Sequence, residues 1–563
     1  MPGTGTKITQ KGTNVLMDHQ DIRTLKILEE IEKNSRLSQR YLAKRLNISL
    51  GLVNSLLKRL AKKGFYKVTT IPKNRVKYIL TPKGIAEKTR LTYEYIQFSF
   101  HFYIDARHKM KQTFEKLEED GIHDFDPILL SMRDKIDRGF MNSNQQKIDQ
   151  LIQKGVAIPN PESVEIGEDV KVENISHDRV IIHSGCRLFG KSTLIMGQSQ
   201  IGYESPVTIQ DCQVGPRVTL KGGFFKESVF LEKASAGSGS HVREGCIFEE
   251  EANIAHTVGL KQTILFPFVT LGSLINFCDC LMAGGTSRKD HSEVGSAYIH
   301  FNFTPNQDKA TPSLVGDVPM GVMLDQLPIF LGGQGGLVGP SRLAFGTIIV
   351  AGTIFRKDVT KPGRMLFEGA GKGGNVPFVP GLYRGIKRIV VNNSLYIGNL
   401  IALLHWYQHV RSLFISDNFP DTLQIAVIEK LQLIIQERIQ RFDQVLAKMP
   451  LSIHKYKNIY NIDAGAKILV QQKELFANQS AVNECLLSMR AYPGDTALRD
   501  RFLNRAANAS QDNDKNYIKA VQSLDPESKQ MGSDWLQGIV DKTLSEVLKI
   551  LPSFRENRRL GNE

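Results

Sequence analysis

The features that mark exported and membrane proteins are scarce in this sequence. It has six cysteines in 563 residues, too few and too scattered for the disulfide framework of a secreted domain. The nearest pair, Cys278 and Cys280, is too closely spaced for an ordinary zinc site, so we expect reduced thiols and no metal. No run approaches the roughly 20 apolar residues of a membrane span, and residues 1–6 lack the apolar core of a signal peptide. These absences predict a cytoplasmic protein without a membrane partner.

Acidic residues are scarce at the N-terminus. Residues 1–100 contain 7 aspartates and glutamates against 20 lysines and arginines, a net charge of +13, while the whole chain carries +14. The excess positive charge is therefore concentrated in the first of the three or four domains that a chain of this length should contain. A basic head on a nearly neutral body suggests a polyanionic partner, and DNA is the first candidate.

The basic head has the pattern of a winged helix-turn-helix over residues 18–90. Apolar residues at helical spacing in residues 21–32, 38–46 and 49–63 predict three helices, and Ser49 can cap the third. The alternating residues 65–71 and 76–80, separated by a proline turn, predict a hairpin wing. The segment resembles the winged helices of the MarR-like transcriptional regulators, including the Thr81-Pro-Lys-Gly84 that follows the wing. A protein-docking role is the alternative.

Polar residues on the third helix and the wing are the candidates for DNA contacts. Asparagine and serine can read base edges in the major groove, whereas lysine and arginine hold phosphates. The candidates that could face the major groove are Ser49, Asn54, Ser55 and Lys58, and further backbone contacts would come from Arg59, Lys62, Lys73 and Arg75.

A helical connector is predicted for residues 91–158. In MarR-like proteins the corresponding helices pair two subunits, and the alternative is a plain connector. Pro159 and Pro161 end the helical region, because proline lacks an amide hydrogen and restricts its neighbour. A new domain should begin there.

A hexapeptide texture predicts a left-handed parallel β-helix over residues 159–364. Steps such as Val294-Gly-Ser and Val350-Ala-Gly-Thr place an apolar residue inside a coil and small residues at its corner. Roughly ten coils of about 18 residues fit the span. We expect a linker over 365–393, an α-helical domain over 394–552 that could cap the open end of the solenoid, and a disordered tail over 553–563. The predicted fold class is thus multidomain: winged helix, β-helix, then all-α.

Part of the solenoid, Val242 to Val359, resembles the C-terminal β-helix of the bacterial bifunctional UDP-N-acetylglucosamine pyrophosphorylase and glucosamine-1-phosphate acetyltransferase. In that family an arginine and a lysine hold the diphosphate of a nucleotide sugar, and Arg243 and Lys261 have the same 18-residue spacing. Val294-Gly-Ser-Ala-Tyr-Ile-His-Phe-Asn-Phe303 matches the segment whose asparagine contacts the sugar. The resemblance implies a ligand site of Arg243, Lys261, Asn302, Phe303 and Lys309, with Ala351 and Gly352 at an acetyl-CoA rim.

Three of these residues also have a purely structural interpretation. Arg243 and Lys261 could be solvated coil edges beside glutamates, and Asn302 could belong to an asparagine ladder. A phosphate clamp formed by Arg243 and Lys261 is chemically reasonable, because a guanidinium fork and an ammonium both pair with phosphate.

Two elements of the family are missing. The histidine that serves as general base would fall at Ser273 or Leu274, so His291, in an inserted loop and oriented by Glu293, is the tentative catalytic replacement. The glycine-rich loop of the nucleotidyltransferase half has no counterpart, which argues against uridylyl transfer. Two hypotheses remain: an acyltransferase fused to a DNA-binding head, or a non-catalytic transcriptional regulator that senses a nucleotide sugar. The resemblance also implies a homo-oligomer, either a trimer or a hexamer.

Overall fold

The computed structural model describes residues 19–33, 38–46, 48–71, 75–92, 141–367, 378–460 and 465–555. They belong to two compact units, one before residue 136 and one from there on. We call them the head and the body.

The head is a winged helix. Helices His19–Lys33, Gln39–Leu46 and Leu50–Lys62 are followed by antiparallel strands Tyr66–Ile71 and Arg75–Leu80 and a helix over residues 82–92. The predicted apolar stripes form its core, which includes Leu28, Leu42, Leu57 and Tyr78. The Ser49 hydroxyl caps the third helix by accepting a hydrogen bond from the Leu52 amide at 3.3 Å. The winged-helix prediction is confirmed.

The Thr-Pro-Lys-Gly segment joins the wing to the next helix at close range. Thr81 Oγ1 donates to the Gly64 carbonyl at 2.6 Å and accepts from the Gly84 amide at 3.1 Å. A Cβ atom at Gly84 would lie 1.8 Å from the Phe65 carbonyl oxygen. Only glycine permits this approach, which gives the motif a structural role.

The middle of the body is a parallel β-solenoid with three faces. Faces 1 and 2 have ten strands each and face 3 has eight. Face 1 consists of Ile181–Ile182, Gln200–Ile201, Thr219–Leu220, Ser235–Ala236, Asn253–Ile254, Thr270–Leu271, Glu293–Val294, Phe330–Leu331, Ile348–Ile349 and Met365–Leu366. Face 2 consists of Glu165–Ile166, Arg187–Phe189, Val207–Gln210, Gly223–Lys226, Ser240–Val242, Gly259–Lys261, Asn276–Cys278, Ile299–Phe301, Gly336–Val338 and Ile354–Phe355. Face 3 consists of Leu194–Ile195, Gln213–Val214, Ser228–Phe230, Cys246–Phe248, Ile264–Leu265, Cys280–Met282, Ser313–Val315 and Ser341–Leu343.

Stacked side chains fill the inside of the solenoid. Strand residues alternate between inside and outside, so equivalent positions of successive coils form columns. The inner column of face 2 runs Ile166, Leu188, Ile209, Phe225, Val242, Leu260, Phe277, His300, Leu337 and Phe355. His300 is its one polar member; its ring nitrogens are hydrogen-bonded to the Cys278 carbonyl at 2.6 Å and to Ser313 Oγ at 2.8 Å.

Face 3 is apolar on both surfaces: its inner surface faces the core of the solenoid, and helices cover its outer surface. Its strands Ser228–Phe230, Cys246–Phe248 and Cys280–Met282 are buried at every residue, whereas short strands of face 1 bury alternate residues. Helix Asp421–Leu446 packs on the first two of these strands, and helix Ile386–His405 packs on Ser313–Val315. Solenoid and helices therefore share one hydrophobic core.

The remaining helices build outward from this layer. A π turn, Trp406–Val410, and a 3-10 turn, Arg411–Phe414, extend helix Ile386–His405. The other helices are Met449–Tyr460, Lys467–Ala477, Gln479–Met489, Thr496–Asp512, Tyr517–Ser523 and Pro526–Ile550, and a short helix, Val318–Gly321, interrupts the solenoid. Short 3-10 turns lie at Pro161–Ser163, Val172–Asn174 and Pro552–Phe554.

The first coil is capped by a different helix from the one expected. Helix Met141–Lys154 covers this end, and the Lys147 ammonium donates to the carbonyls of Gly167, Glu168 and Val170 at 2.6 to 2.9 Å. The C-terminal helices cover face 3 instead of an end of the solenoid. The physical reason is that face 3 exposes a full apolar surface that must be buried.

Several boundaries differ from those expected. Helix Ile386–His405 starts inside the predicted linker, of which residues 368–377 lie outside the described residues. Phe554, assigned from sequence to a disordered tail, is 1% exposed, and the Ser553 amide donates to Glu474 at 3.1 Å. Much of the predicted connector, residues 93–140, is also outside the described residues.

In the described part of the chain, one helical stretch, Ile386–Phe414, is long and apolar enough to cross a membrane. Its most apolar window is 83% buried within the body, so it has the features of a core helix. All six cysteines are free thiols, and all but Cys485 are buried.

Candidate ligand-binding site

Successive coils bring Arg243 and Lys261 together. Strand Ser240–Val242 pairs in parallel with Gly259–Lys261, with Val242 opposite Leu260, and the Arg243 amide donates to the Leu260 carbonyl at 2.9 Å. Arg243 and Lys261 therefore occupy the same position on adjacent coils, as the 18-residue spacing predicts. Lys261 is in turn opposite Cys278 on the next coil.

A cavity of about 240 Å³ lies beside this pair, between face 2 and helix Asp421–Leu446. Five of the seven predicted ligand-binding residues line it. The solenoid contributes Arg243, Lys261, Asn276, Cys278, Asp279, Asn302, Phe303 and Lys309, and the helix contributes Glu437, Arg438 and Arg441. We call it the Arg243 cavity.

A buried ion pair attaches the helix to the wall of the Arg243 cavity. Arg438 Nη2 is 2.8 Å from Asp279 Oδ1, and the two side chains are 2% and 3% exposed. The other Asp279 oxygen accepts a hydrogen bond from Asn302 Nδ2 at 2.6 Å. Arg438 also donates to the Lys309 carbonyl at 3.4 Å. Asp279 thus fixes both the predicted sugar-contacting asparagine and the helix that closes the cavity.

Cations predominate in the Arg243 cavity. Arg243, Lys261, Lys309, Arg438 and Arg441 line it against two carboxylates, Asp279 and Glu437. Such an excess attracts an anion, most strongly one that accepts several hydrogen bonds.

Besides Arg438, which is paired with Asp279, two of these cations have local carboxylate partners. Lys261 forms an ion pair with Glu244, and Arg441 Nε is 2.8 Å from Glu437 Oε1. Burial is the largest single influence on Glu244 and opposes its ionisation, but the hydrogen bonds from Lys261 and the backbone, together with the charges of Lys261 and Arg243, hold the pKa of this carboxyl below its usual value. A phosphate would compete with Glu244 for Lys261.

Cys278 is the one thiol in the cavity lining, and it is protonated at neutral pH. Burial, followed by the negative charge of Asp279, raises its pKa to about 11, although Arg243 and Lys261 oppose the rise. Its Sγ donates to Asn276 Oδ1 at 3.2 Å. A buried thiol of this kind is a poor nucleophile.

The structure does not bring the remaining predicted residues to the Arg243 cavity. His291 lies in the hairpin of Gly285–Ser287 and Asp290–His291, outside the lining, with Nε2 3.9 Å from Glu293 Oε2. Ala351 and Gly352 form an exposed corner between faces 1 and 2, also outside the lining. Among the described residues that form the cavity, no histidine is present.

The helix residues of the cavity were not found from the sequence. Asp279 follows a strand at a coil corner, in left-handed backbone conformation with φ 59°, and Arg438 and Arg441 lie more than a hundred residues downstream. A buried arginine on an otherwise apolar helix face is a weak signal, since it needs a known partner to be recognised.

In the head, the predicted DNA-contacting residues lie on one helix and the wing. Ser55, Lys58 and Lys62 are exposed on helix Leu50–Lys62, and Asn54 and Arg59 are partly buried. Ser49 is exposed and acts as the helix cap. Arg75 begins the second wing strand, and Lys73 lies outside the described residues.

Comparisons with known proteins support the winged-helix head and the solenoid separately. Residues 20–65 match a family model described as winged helix-turn-helix DNA-binding. The Bifunctional protein GlmU of Thermotoga sp. strain RQ2 is 27% identical over 224 residues, which cover 38% of this chain and 42% of the relative. The Bifunctional protein GlmU of Lawsonia intracellularis is 26% identical over 242 residues, covering 42% and 47%. The chain thus spans less than half the length of these relatives, and it combines a winged-helix DNA-binding head with a β-solenoid similar to part of the GlmU proteins.

Proposed function

We propose that this protein is a DNA-binding regulator whose Arg243 cavity binds the phosphate and sugar part of a UDP-sugar without catalysing a reaction on it. The observation that carries the proposal is the convergence of five predicted ligand residues with two arginines of helix Asp421–Leu446 in one cavity. A cytoplasmic location and action as a transcriptional regulator are part of the proposal.

The chemistry of the lining suits this ligand. Arginine can hold a diphosphate with its planar fork, and lysine adds a point charge. Asn302 uses its amide nitrogen on Asp279, which leaves its carbonyl oxygen to accept from a sugar hydroxyl. The volume of about 240 Å³ is slightly below that of typical drug-sized pockets, so the cavity suits part of a nucleotide sugar, with the nucleoside outside.

The lining offers little for acyl transfer. A general base must lie within hydrogen-bond reach of the attacking amine, but the Asp279 carboxylate is held by Arg438 and Asn302, and Glu437 is paired with Arg441. His291 lies elsewhere. The alternative is an acetyltransferase with acetyl-CoA as its cofactor. Its support is limited to Ala351 and Gly352, which form an exposed corner outside the cavity.

Truncating either clamp residue is expected to weaken binding of UDP-N-acetylglucosamine by about ten- to a hundredfold, since each removes a charge-assisted hydrogen bond. Isothermal titration of the full chain and of Arg243→Ala and Lys261→Ala measures this. The matched control is Lys226→Ala, because Lys226 has the same place one coil before Arg243 but lies outside the cavity lining; its affinity should stay within about twofold.

Equal affinities in all four proteins, or no binding to the full chain, would remove the basis for a phosphate clamp. Titration with acetyl-CoA distinguishes the two alternatives. Binding of acetyl-CoA, followed by release of free thiol in the presence of a sugar phosphate, would favour the acyltransferase.

A sensor must change its affinity for DNA when it binds its ligand. We expect saturating UDP-N-acetylglucosamine to change the dissociation constant of a duplex selected from a random pool by at least about threefold. Fluorescence anisotropy at fixed salt measures it, since DNA affinity depends strongly on salt. The same titration of Lys261→Ala should show no change, and an unchanged constant in the full chain would contradict the sensor role.

A homo-oligomer, trimer or hexamer, is also proposed. Face 3 is covered by the chain's own helices, which leaves faces 1 and 2 for subunit contacts. Phe301, Phe330, Ile348 and Ile354 on the last coils of these faces are 37% to 41% exposed, an apolar surface suited to a second copy.

A further inference from the structure

A second cavity, of about 410 Å³, lies where the solenoid meets the helical region. Glu250 follows strand Cys246–Phe248, whereas Arg243 precedes it, so the two cavities lie at opposite edges of face 3. The residues that line the second cavity include Glu250 and Phe268 of the solenoid and Arg411, Phe414 and Tyr517 of the helical region. We call it the Arg411 cavity.

The orientation of the Arg411 guanidinium is fixed. Its carbon lies 3.7 Å from the centroid of the Tyr517 ring and 4.2 Å from that of Phe419, and Nη2 pairs with Glu250 Oε1. Arg411 and Glu250 are 1% and 7% exposed. Stacking on two aromatic rings positions the remaining N–H groups in one plane.

Both members of this buried pair have unused hydrogen-bonding atoms. Within the described part of the chain, Arg411 Nε and Nη1 have no acceptor, and Glu250 Oε2 has no donor. Buried charged groups are normally fully hydrogen-bonded, because a missing partner leaves the desolvation cost unmet. A molecule that offers an acceptor to the arginine and a donor to the carboxylate would satisfy both.

The neighbouring carboxyl does not add a second negative charge at neutral pH. Tyr407 donates to Glu249 Oε1 at 2.6 Å. Burial, followed by the charge of Glu250, raises the pKa of Glu249 to about 8. The ion pair of Arg411 is formed with Glu250.

The overall charge of the Arg411 cavity differs from that of the Arg243 cavity. Its ionisable lining consists of five acidic residues, Glu232, Glu250, Glu251, Asp417 and Asp514, and four basic residues, Lys233, Arg411, Lys515 and Lys519. This near balance disfavours a polyphosphate and suits a ligand that carries one charge of each sign.

We propose that the Arg411 cavity binds a free apolar α-amino acid, with its carboxylate on Arg411, its ammonium group on Glu250 and its side chain against Phe268 and Phe414. A zwitterion supplies both missing partners in one molecule. The cavity is larger than an amino acid side chain needs, and its apolar wall is formed by aromatic residues that are nearly buried. This site is separate from the proposed UDP-sugar site and does not depend on it.

The test is isothermal titration of the full chain with L-phenylalanine and L-leucine, beside two molecules that each lack one charged group. We expect at least one amino acid to bind, and we expect 2-phenylethylamine and 3-phenylpropionate to bind at least tenfold more weakly than L-phenylalanine. Glu250→Gln should weaken amino acid binding at least tenfold. The matched control Glu232→Gln, the same change in the outer lining, should stay within about twofold.

No binding of either amino acid, or equal binding of the two half-molecules, would overturn the proposal and leave water as the partner of the unused atoms. Retained affinity in Glu250→Gln would overturn it as well. If Glu250→Gln fails to fold by circular dichroism, the comparison of L-phenylalanine with its half-molecules on the natural chain still decides.

Discussion

Replacing Arg438 with methionine is expected to lower the free energy of unfolding of the body by about 3–5 kcal/mol, because it leaves Asp279 buried and unpaired. The pair is 2% and 3% exposed, and Arg438 also holds the Lys309 carbonyl. Urea unfolding followed by tryptophan fluorescence measures the change. Both tryptophans, Trp406 and Trp535, are fully buried in the body, so the signal reports this unit alone.

The matched control is Arg441→Met, one turn along the same helix. Its ion pair with Glu437 is 29% and 21% exposed, and such pairs contribute at most about 1 kcal/mol. The double variant Asp279→Asn with Arg438→Met should be less destabilised than the sum of its single changes, since neither charge is then left alone. A loss below about 1 kcal/mol in Arg438→Met would show that the pair does not anchor the helix.

The second large effect concerns pH. Burial lowers the pKa of His300 from 6.5 to about 4, so between these values the unfolded chain binds a proton that the folded chain does not. The contribution of neutral His300 to the free energy of unfolding is therefore complete above pH 6.5 and is lost as the pH falls toward 4. The loss should reach about 2–3 kcal/mol at pH 4.5. His300→Leu removes this group and continues the apolar column between Phe277 and Leu337.

We therefore expect His300→Leu to be less stable than the natural chain at pH 7.5, by about 1–3 kcal/mol, because the Cys278 carbonyl and Ser313 lose a partner. The deficit should shrink or reverse at pH 4.5. Urea unfolding at both values measures it, and the shifts of His405 and Glu249, which occur in both proteins, cancel in the difference. A deficit that is the same at both pH values would contradict the low pKa of His300.

The register of the solenoid coils could be predicted from the sequence alone. The 18-residue separation of Arg243 and Lys261 places them on adjacent coils because each coil returns the chain to the same face. The stripes of Leu52, Val53, Leu56 and Leu57 likewise predict the third helix of the head. In both cases the pattern repeats within a few tens of residues, so local periodicity suffices.

The closing side of the Arg243 cavity could not be read in this way. Arg438 and Arg441 come from a helix whose docking depends on the apolar outer surface of face 3, and that surface was not recognised as buried from both sides. Two expectations depended on the order of segments along the chain. These were that the helices would cap an end of the solenoid and that His291 would be the base. Contacts such as Arg438 with Asp279 span 159 residues.

By itself the sequence determined a basic winged helix, a coil repeat and the pair of cations on adjacent coils, because these depend on periodicity and on local charge. Only the tertiary structure decided that helices cover face 3, that Asp279 anchors Arg438, and that His291 and the Ala351 corner lie away from the cavity. The reason is physical: an amphipathic pattern specifies that a surface must be buried, whereas the partner that buries it is chosen by the shape and charge of distant segments.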